Sequence, residues 1–194
     1  MVTFYSFAKG VVKAILKPLY RVEVKGLEHF PKEGGVLLCS NHIDNLDPPV
    51  VGMMAPRPVM FMAKEELFKN PALGTLLKNV NAFPVKRGMS DREALRKGLS
   101  VLKEGNVLGL FPEGTRSKTG KLGKGLAGAG FFALRTEAKV LPCAVIGPYK
   151  MFRKVKVVFG PPIPVEELKE KKLSADEATA VIMSHIQKLI DESR

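Results

Sequence analysis

Apolar residues recur along this chain in short runs of two different periods. Over residues 4–16, Phe4, Phe7, Ala8, Val11 and Ile15 fall at helical spacing, with Lys9, Lys13 and Lys17 forming a basic flank. This predicts an amphipathic helix that Pro18 ends, since proline lacks an N–H and its ring collides with the preceding turn. Residues 21–24 alternate like a short edge strand, whereas 36–39, 59–62 and 106–111 are the continuous apolar runs of buried strands. Residues 82–85, 140–146 and 154–159 read as further strands.

Helical signals lie between these runs. Pro48 and Pro49 suit a first helical turn, which places Asp47 as the N-cap of a helix over 50–54. A short helix is predicted at 70–77. A capping box from Ser90 to Glu93 opens another, with Leu95, Leu99 and Leu102 as its stripe and Gly105 as its stop. A glycine-rich loop leads into a helix at 125–137, and a second capping box, Ser174 to Glu177, opens the last. That helix turns Val181, Ile182, Ile186, Leu189 and Ile190 inward, beside His185, which reads as a packed or half-exposed histidine and not a ligand, while His29 reads as a surface loop residue. The alternation predicts a single α/β domain whose mixed, largely parallel central sheet is flanked by helices.

The 194 residues suit one domain, and Cys39 and Cys143 both sit in apolar segments as reduced core residues. The net charge of +12 points to an anionic partner: nucleic acid, a membrane surface or a phosphorylated substrate. Against nucleic acid stand the absence of Trp, only three Tyr, and no zinc, RRM or KH pattern. No run reaches the roughly 18 apolar residues of a membrane span, and Lys9, Lys13 and Lys17 interrupt any signal-peptide pattern. A soluble or peripherally bound protein is therefore expected. The first helix either packs on the domain or lies on anionic lipid, with Phe4, Phe7 and Val11 inserted and Lys9, Lys13 and Lys17 toward headgroups.

Candidate chemistry concentrates just past the apolar runs. Ser40-Asn41-His42-Ile43-Asp44-Asn45-Leu46-Asp47 places an imidazole and two carboxylates after the 36–39 strand. On a continuous helix His42 and Asp47 would stand about 140° apart and never meet. If a strand ends near Ser40 and a helix begins at Pro48, the loop folds back and Asp47 can orient His42 as a general base. The spacing alone is unspecific, and a helix cap is the plainer role for Asp47. Phe111-Pro112-Glu113-Gly114-Thr115-Arg116-Ser117 brings turn N–H groups, a hydroxyl and a guanidinium together, equipment suited to a phosphate monoester. Lys86-Arg87 and Lys64 also follow strand-like runs, so several cations converge near His42 if these strand ends share one edge.

In this order the segments resemble the glycerophospholipid acyltransferase superfamily, which includes bacterial 1-acyl-sn-glycerol-3-phosphate (lysophosphatidate) acyltransferases. The matching blocks are Asn41-His42 with Asp47; Phe83-Pro84-Val85-Lys86-Arg87; Phe111 to Ser117; and Val140-Leu141-Pro142-Cys143. Phe61-Met62-Ala63-Lys64 and the segment from Val157 to Ile163 resemble further family segments. The resemblance implies that His42 deprotonates an acceptor hydroxyl for direct attack on an acyl thioester, with Asp47 orienting it. It implies an acceptor phosphate held by Lys64, Arg87 and Arg116, in a site that Glu113, Gly114 and Thr115 complete. No cofactor, metal or acyl-enzyme is expected. The donor is acyl-CoA or acyl-carrier protein, the acceptor lysophosphatidate, and the alternatives glycerol 3-phosphate or another lysophospholipid. The implied location is the cytoplasmic side of the cell membrane, peripherally bound to anionic lipid through residues 1–20, with the acyltransferase domain at 21–194. Ile43-Asp44 replaces a frequent Gln-Ser, Asn81 stands where Gly is frequent, and a shorter N-terminus predicts a smaller anchor.

Three other readings compete. Cys39 lies near His42 but in an apolar run, without an activating neighbour. Gly123-Lys124-Gly125-Leu126-Ala127-Gly128 spells G-x-G-x-x-G, yet it lies far from the preceding strand and lacks the acidic ribose ligand. Its glycines are better explained by close packing of the following helix. The last reading is a non-enzymatic basic protein that binds anionic lipid or nucleic acid.

Overall fold

The computed structural model describes residues 4–86 and 91–193. Along the chain run α1 (Phe4–Leu19), β1 (Glu23–Lys25), β2 (Val36–Ser40), α2 (Asp47–Met54), β3 (Val59–Lys64), α3 (Pro71–Asn79) and β4 (Phe83–Val85). They are followed by α4 (Arg92–Lys103), β5 (Val107–Leu110), α5 (Gly128–Arg135), β6 (Lys139–Ile146), β7 (Lys156–Phe159), α6 (Val165–Glu170) and α7 (Ala175–Ser193). Among the described residues the strands form one sheet, ordered β1-β7-β6-β2-β5-β3-β4. Every neighbouring pair is parallel except β6 and β7. The α/β reading with a mixed, largely parallel sheet holds.

All five residues of β2 are buried, because α helices cover both faces of the sheet at its centre. On one face Leu37, Cys39 and Leu108 pack with Phe132, Ile182 and Ile186 of α5 and α7. On the other, Val36 and Leu38 pack with Val50, Val51 and Met53 of α2, and Val12 and Leu16 bring α1 against that layer. Each fully buried side chain of this size contributes about 1.5–3 kcal/mol. Gly130 lets α5 approach α7, since a Cβ there would stand 1.9 Å from the Ala175 carbonyl oxygen. Gly125 likewise abuts Thr179, which agrees with packing as the purpose of these glycines.

The topology decides where the chemistry sits. β2, β3, β4, β5 and β6 are mutually parallel, so Ser40, Lys64, Val85, Leu110 and Ile146 all finish at one edge. β3 lies beyond β5 and β6 lies on the far side of β2, so the loops leaving β2 and β5 diverge. Open α/β sheets bind ligands in the crevice this creates.

Several local expectations change. α1 continues through Pro18 to Leu19, because a proline in the last turn forfeits a single intrahelical bond; Tyr20 N–H still reaches Leu16 O at 3.0 Å. Asp47 is the first residue of α2 rather than its cap, and its carboxylate makes no cap bond. α4 is capped by Asp91, whose side chain accepts from Ala94 N–H at 3.0 Å; Ser90 lies outside the described residues. α5 is shorter than predicted, and the six-residue α6 was too short to show a period. His29 is half-buried and donates through Nδ1 to Phe159 O at 2.9 Å, so it is not a free surface residue. The Ser174–Glu177 box forms as expected, with Ser174 N–H on Glu177 Oε2 at 2.8 Å and Glu177 N–H on Ser174 Oγ at 3.3 Å.

Candidate active site

Where β2 stops pairing with β6, Asn41 replaces the ladder with its side chain. Its Nδ2 donates to Val145 O at 2.8 Å and its Oδ1 accepts from Val145 N–H at 2.7 Å. The buried backbone at this strand end is thereby satisfied, and His42 can leave the sheet.

His42 is 8% exposed and Asp47 is fully buried at 0%. His42 Nδ1 lies 2.8 Å from Asp47 Oδ2. Because a carboxylate only accepts, Nδ1 carries a proton, and in the neutral ring Nε2 is the nitrogen that keeps its lone pair. The same Oδ2 accepts from Ile43 N–H at 2.6 Å and Asp44 N–H at 2.8 Å. Those bonds use backbone, which explains why Ile43 and Asp44 can depart from the family pattern without disturbing the pair. Asp44 does not compete for His42; its Oδ1 accepts from Leu46 N–H at 3.0 Å. Asp47 Oδ1 accepts from the Tyr149 hydroxyl at 2.8 Å. Burial, and then the Asp47 charge, raise the Tyr149 pKa well above the ordinary phenol value, so this hydroxyl stays a donor.

The loop after β5 is strapped onto the His42 loop. The Phe111 ring stacks on the imidazole, with centroids 4.2 Å apart and planes at 22°, and Phe61 stacks behind Phe111 at 5.7 Å. Glu113 Oε1 accepts from His42 N–H at 2.9 Å, its Oε2 accepts from Gly123 N–H at 2.8 Å, and Ser117 N–H donates to His42 O at 2.7 Å. Gly114 has φ 66°, the left-handed conformation that favours glycine, and a Cβ there would meet Leu126 at 2.5 Å.

A cleft of about 840 Å³ opens beside His42. Among the described residues Lys9, Lys64, Lys86 and Arg116 line it with no carboxylate, and its other walls are largely apolar, including Phe61, Met62, Leu95 and Phe132. The arrangement combines a carboxylate-paired imidazole, a cationic mouth and room for a hydrocarbon chain.

The sequence-predicted residues divide accordingly. His42 and Asp47 meet, and Lys64, Gly114 and Arg116 line the cleft with His42. Glu113 does not face an anion: both its oxygens hold backbone N–H groups, so it shapes the loop. Thr115 is exposed and is not part of the cleft wall. Arg87 lies outside the described residues, while its neighbour Lys86 reaches the cleft. On α1, Phe4, Phe7, Val11 and Ile15 are exposed, as are Lys13 and Lys17. Lys9 differs from them: its Nζ donates to Ala55 O, and burial, followed by Lys13, lowers its pKa. It also lines the cleft beside His42. Cys39 sits in the core with its thiol pKa raised by burial, and Cys143 is pushed up to about 12, so neither offers a thiolate. Tyr149 and the strand-ending role of Asn41 escaped sequence reading, because their partners lie 102 and 104 residues away.

Fold and site together define an acyl-transfer enzyme: residues 21–146 match the family described as Acyltransferase, and the chain belongs to it. More particularly, it is similar to the 1-acyl-sn-glycerol-3-phosphate acyltransferase of Bacillus subtilis (strain 168), 29% identical over 97% of this chain and 99% of that one. The enzyme of the same name from Borreliella burgdorferi is 27% identical over 88% of this chain and 72% of its own. Among solved structures, the 1-acyl-sn-glycerophosphate acyltransferase PlsC from Thermotoga maritima superposes with a TM-score of 0.71 at 26% identity, covering 98% of this chain and 79% of that one.

Proposed function

We propose that the protein moves a fatty acyl group from an acyl thioester to the 2-hydroxyl of 1-acyl-sn-glycerol 3-phosphate, giving phosphatidic acid. The observation that carries this reading is the His42–Asp47 pair, 2.8 Å apart, opening on an apolar cleft with a cationic mouth. In the proposed reaction His42 Nε2 takes the proton of the hydroxyl as its oxygen attacks the thioester carbonyl. The tetrahedral intermediate collapses, the C–S bond breaks, and the imidazolium returns the proton to the departing thiolate. Asp47 holds the ring and balances its transient charge. Arg116, Lys64 and Lys86, joined by Arg87, would bind the acceptor phosphate. The donor is a thioester of CoA or of acyl-carrier protein, and no cofactor is assigned.

Purified protein is to be given either donor with lysophosphatidate, or with glycerol 3-phosphate in a parallel arm, and thiol release followed. His42→Ala should cut turnover by about 10²–10⁴. If neither donor is consumed in a His42-dependent way, the proposal fails. The same variant should keep its affinity for lipid vesicles, which separates an enzyme from a basic lipid-binding protein.

We further infer peripheral attachment to the cytoplasmic side of the cell membrane through anionic lipid. Supporting this is α1, whose outward stripe of Phe4, Phe7, Val11 and Ile15 is accompanied by exposed Lys13 and Lys17. Among the described residues no helix is long and apolar enough to cross a membrane. Deleting residues 1–17 should weaken binding to anionic vesicles.

A further inference from the structure

The β6–β7 connection ends in a turn whose side chains do not suit water. Met151 is 62% exposed and Phe152 66%, against 64% for Phe7, the most open large apolar side chain of α1. The turn is well held: Lys150 N–H donates to Pro148 O at 2.8 Å and Arg153 N–H to Lys150 O at 3.0 Å. Phe152 N–H donates to Leu19 O at 2.7 Å, and Val155 N–H to Tyr20 O at 3.0 Å, which docks the turn on the C-terminal end of α1. Phe152 has φ 61°, a conformation where glycine is far easier and a bulky aromatic is uncommon. Folding alone therefore does not ask for an aromatic at this tip.

The surroundings identify what the tip meets. Lys150, Arg153 and Lys154 flank it, all exposed; Lys154 pairs with Glu23 at 2.6 Å, and among the described residues the other two form no ion pair. Apolar residues ringed by cations suit the interface of an anionic bilayer, where acyl chains take the apolar groups and headgroups the charges. A second copy of the chain would bring the same cations together on a protein of net charge +12, which opposes self-association there. The turn is also docked on the C-terminal end of α1, the helix that carries the other exposed apolar stripe.

We propose that the turn at residues 150–154 is a second lipid contact, inserting Met151 and Phe152 among acyl chains while Lys150 and Arg153 meet anionic headgroups. It rests on the membrane reading of α1 and adds a second foot to it. Two feet restrict how the domain sits on the bilayer, where a single helix leaves it free to roll about its axis.

The chain contains no Trp, so Phe152→Trp in the full chain is a unique probe. Its emission should shift to the blue on adding phosphatidylglycerol vesicles and hold still with phosphatidylcholine alone. The double variant Met151→Ser, Phe152→Ser should bind phosphatidylglycerol vesicles about tenfold more weakly. Its turnover of a short-chain, monomeric lysophosphatidate should be unchanged. Phe152→Gly keeps the φ-compatible backbone, so it should weaken vesicle binding without lowering the melting temperature. Unshifted emission with unaltered vesicle affinity overturns the proposal, as does a concentration-dependent dimer that the variants abolish. Wild-type protein that fails to bind any vesicle overturns the α1 reading first; wild-type binding with unaffected variants sinks the second contact alone.

Discussion

Replacing Tyr149 by Phe deletes one hydroxyl from the site and leaves the ring, including its edge-on contact with Tyr20 at 5.5 Å and 78°. Asp47 is fully buried and keeps its three donors on Oδ2, but among the described residues Oδ1 loses its donor. A hydrogen bond to a charged group contributes about 1.5–3 kcal/mol. With Oδ2 still held, the folding loss should fall near the lower figure, a melting point about 3–6 °C lower for a chain of this size. The effect on turnover follows from geometry. Freed at Oδ1, the carboxylate can swing and the imidazole with it, so kcat should drop about tenfold, equivalent to about 1.4 kcal/mol. The acceptor KM should not change, because Tyr149 does not line the cleft.

The pH dependence of this variant is also defined. The Tyr149 pKa is raised in the folded protein, so its stabilising bond is complete below the unfolded phenol value of about 10 and is lost only as pH climbs toward the higher folded value. The ratio of wild-type to variant kcat should therefore stay flat from about pH 6 to pH 9. Steady-state assays across that range, with calorimetry, test the chain of reasoning. An unchanged kcat, or an effect confined to KM, would show that Tyr149 does not position Asp47.

Two further outcomes are expected. Arg116→Ala removes a guanidinium from the cleft mouth, so kcat/KM for a phosphorylated acceptor should fall ten- to a hundredfold, about 1.4–2.7 kcal/mol; an unchanged value would place Arg116 in solvent during the reaction. Cys39→Ala should retain turnover, and neither thiol of the native protein should alkylate at pH 8, because burial raises the pKa of Cys39 and pushes Cys143 up to about 12; inactivation by a thiol reagent that matches alkylation of Cys39 would reopen a cysteine mechanism.

The residue pattern by itself determined the strands, most helices and the capping of α7, because period and cap signals act over a few residues. It also brought His42 and Asp47 within reach of each other, since they are five residues apart and the prolines after them restrict the loop. One departure from the family becomes intelligible in these terms: Asn81 stands where glycine is frequent, and it adopts φ 63°, a conformation asparagine tolerates better than most residues. Strand order lay beyond that reach. Only the packed sheet brings Lys64, Lys86 and Arg116 to the edge where His42 waits, because parallel pairing of β2, β3, β4 and β5 is a long-range choice. The partners of buried polar groups are decided at the same level. Tyr149 on Asp47, Glu113 on two backbone N–H groups and Lys9 on Ala55 are each set by which elements pack together. The sequence determined which side chains could carry the chemistry; the tertiary structure decided which of them face the cleft and which are spent holding it in shape.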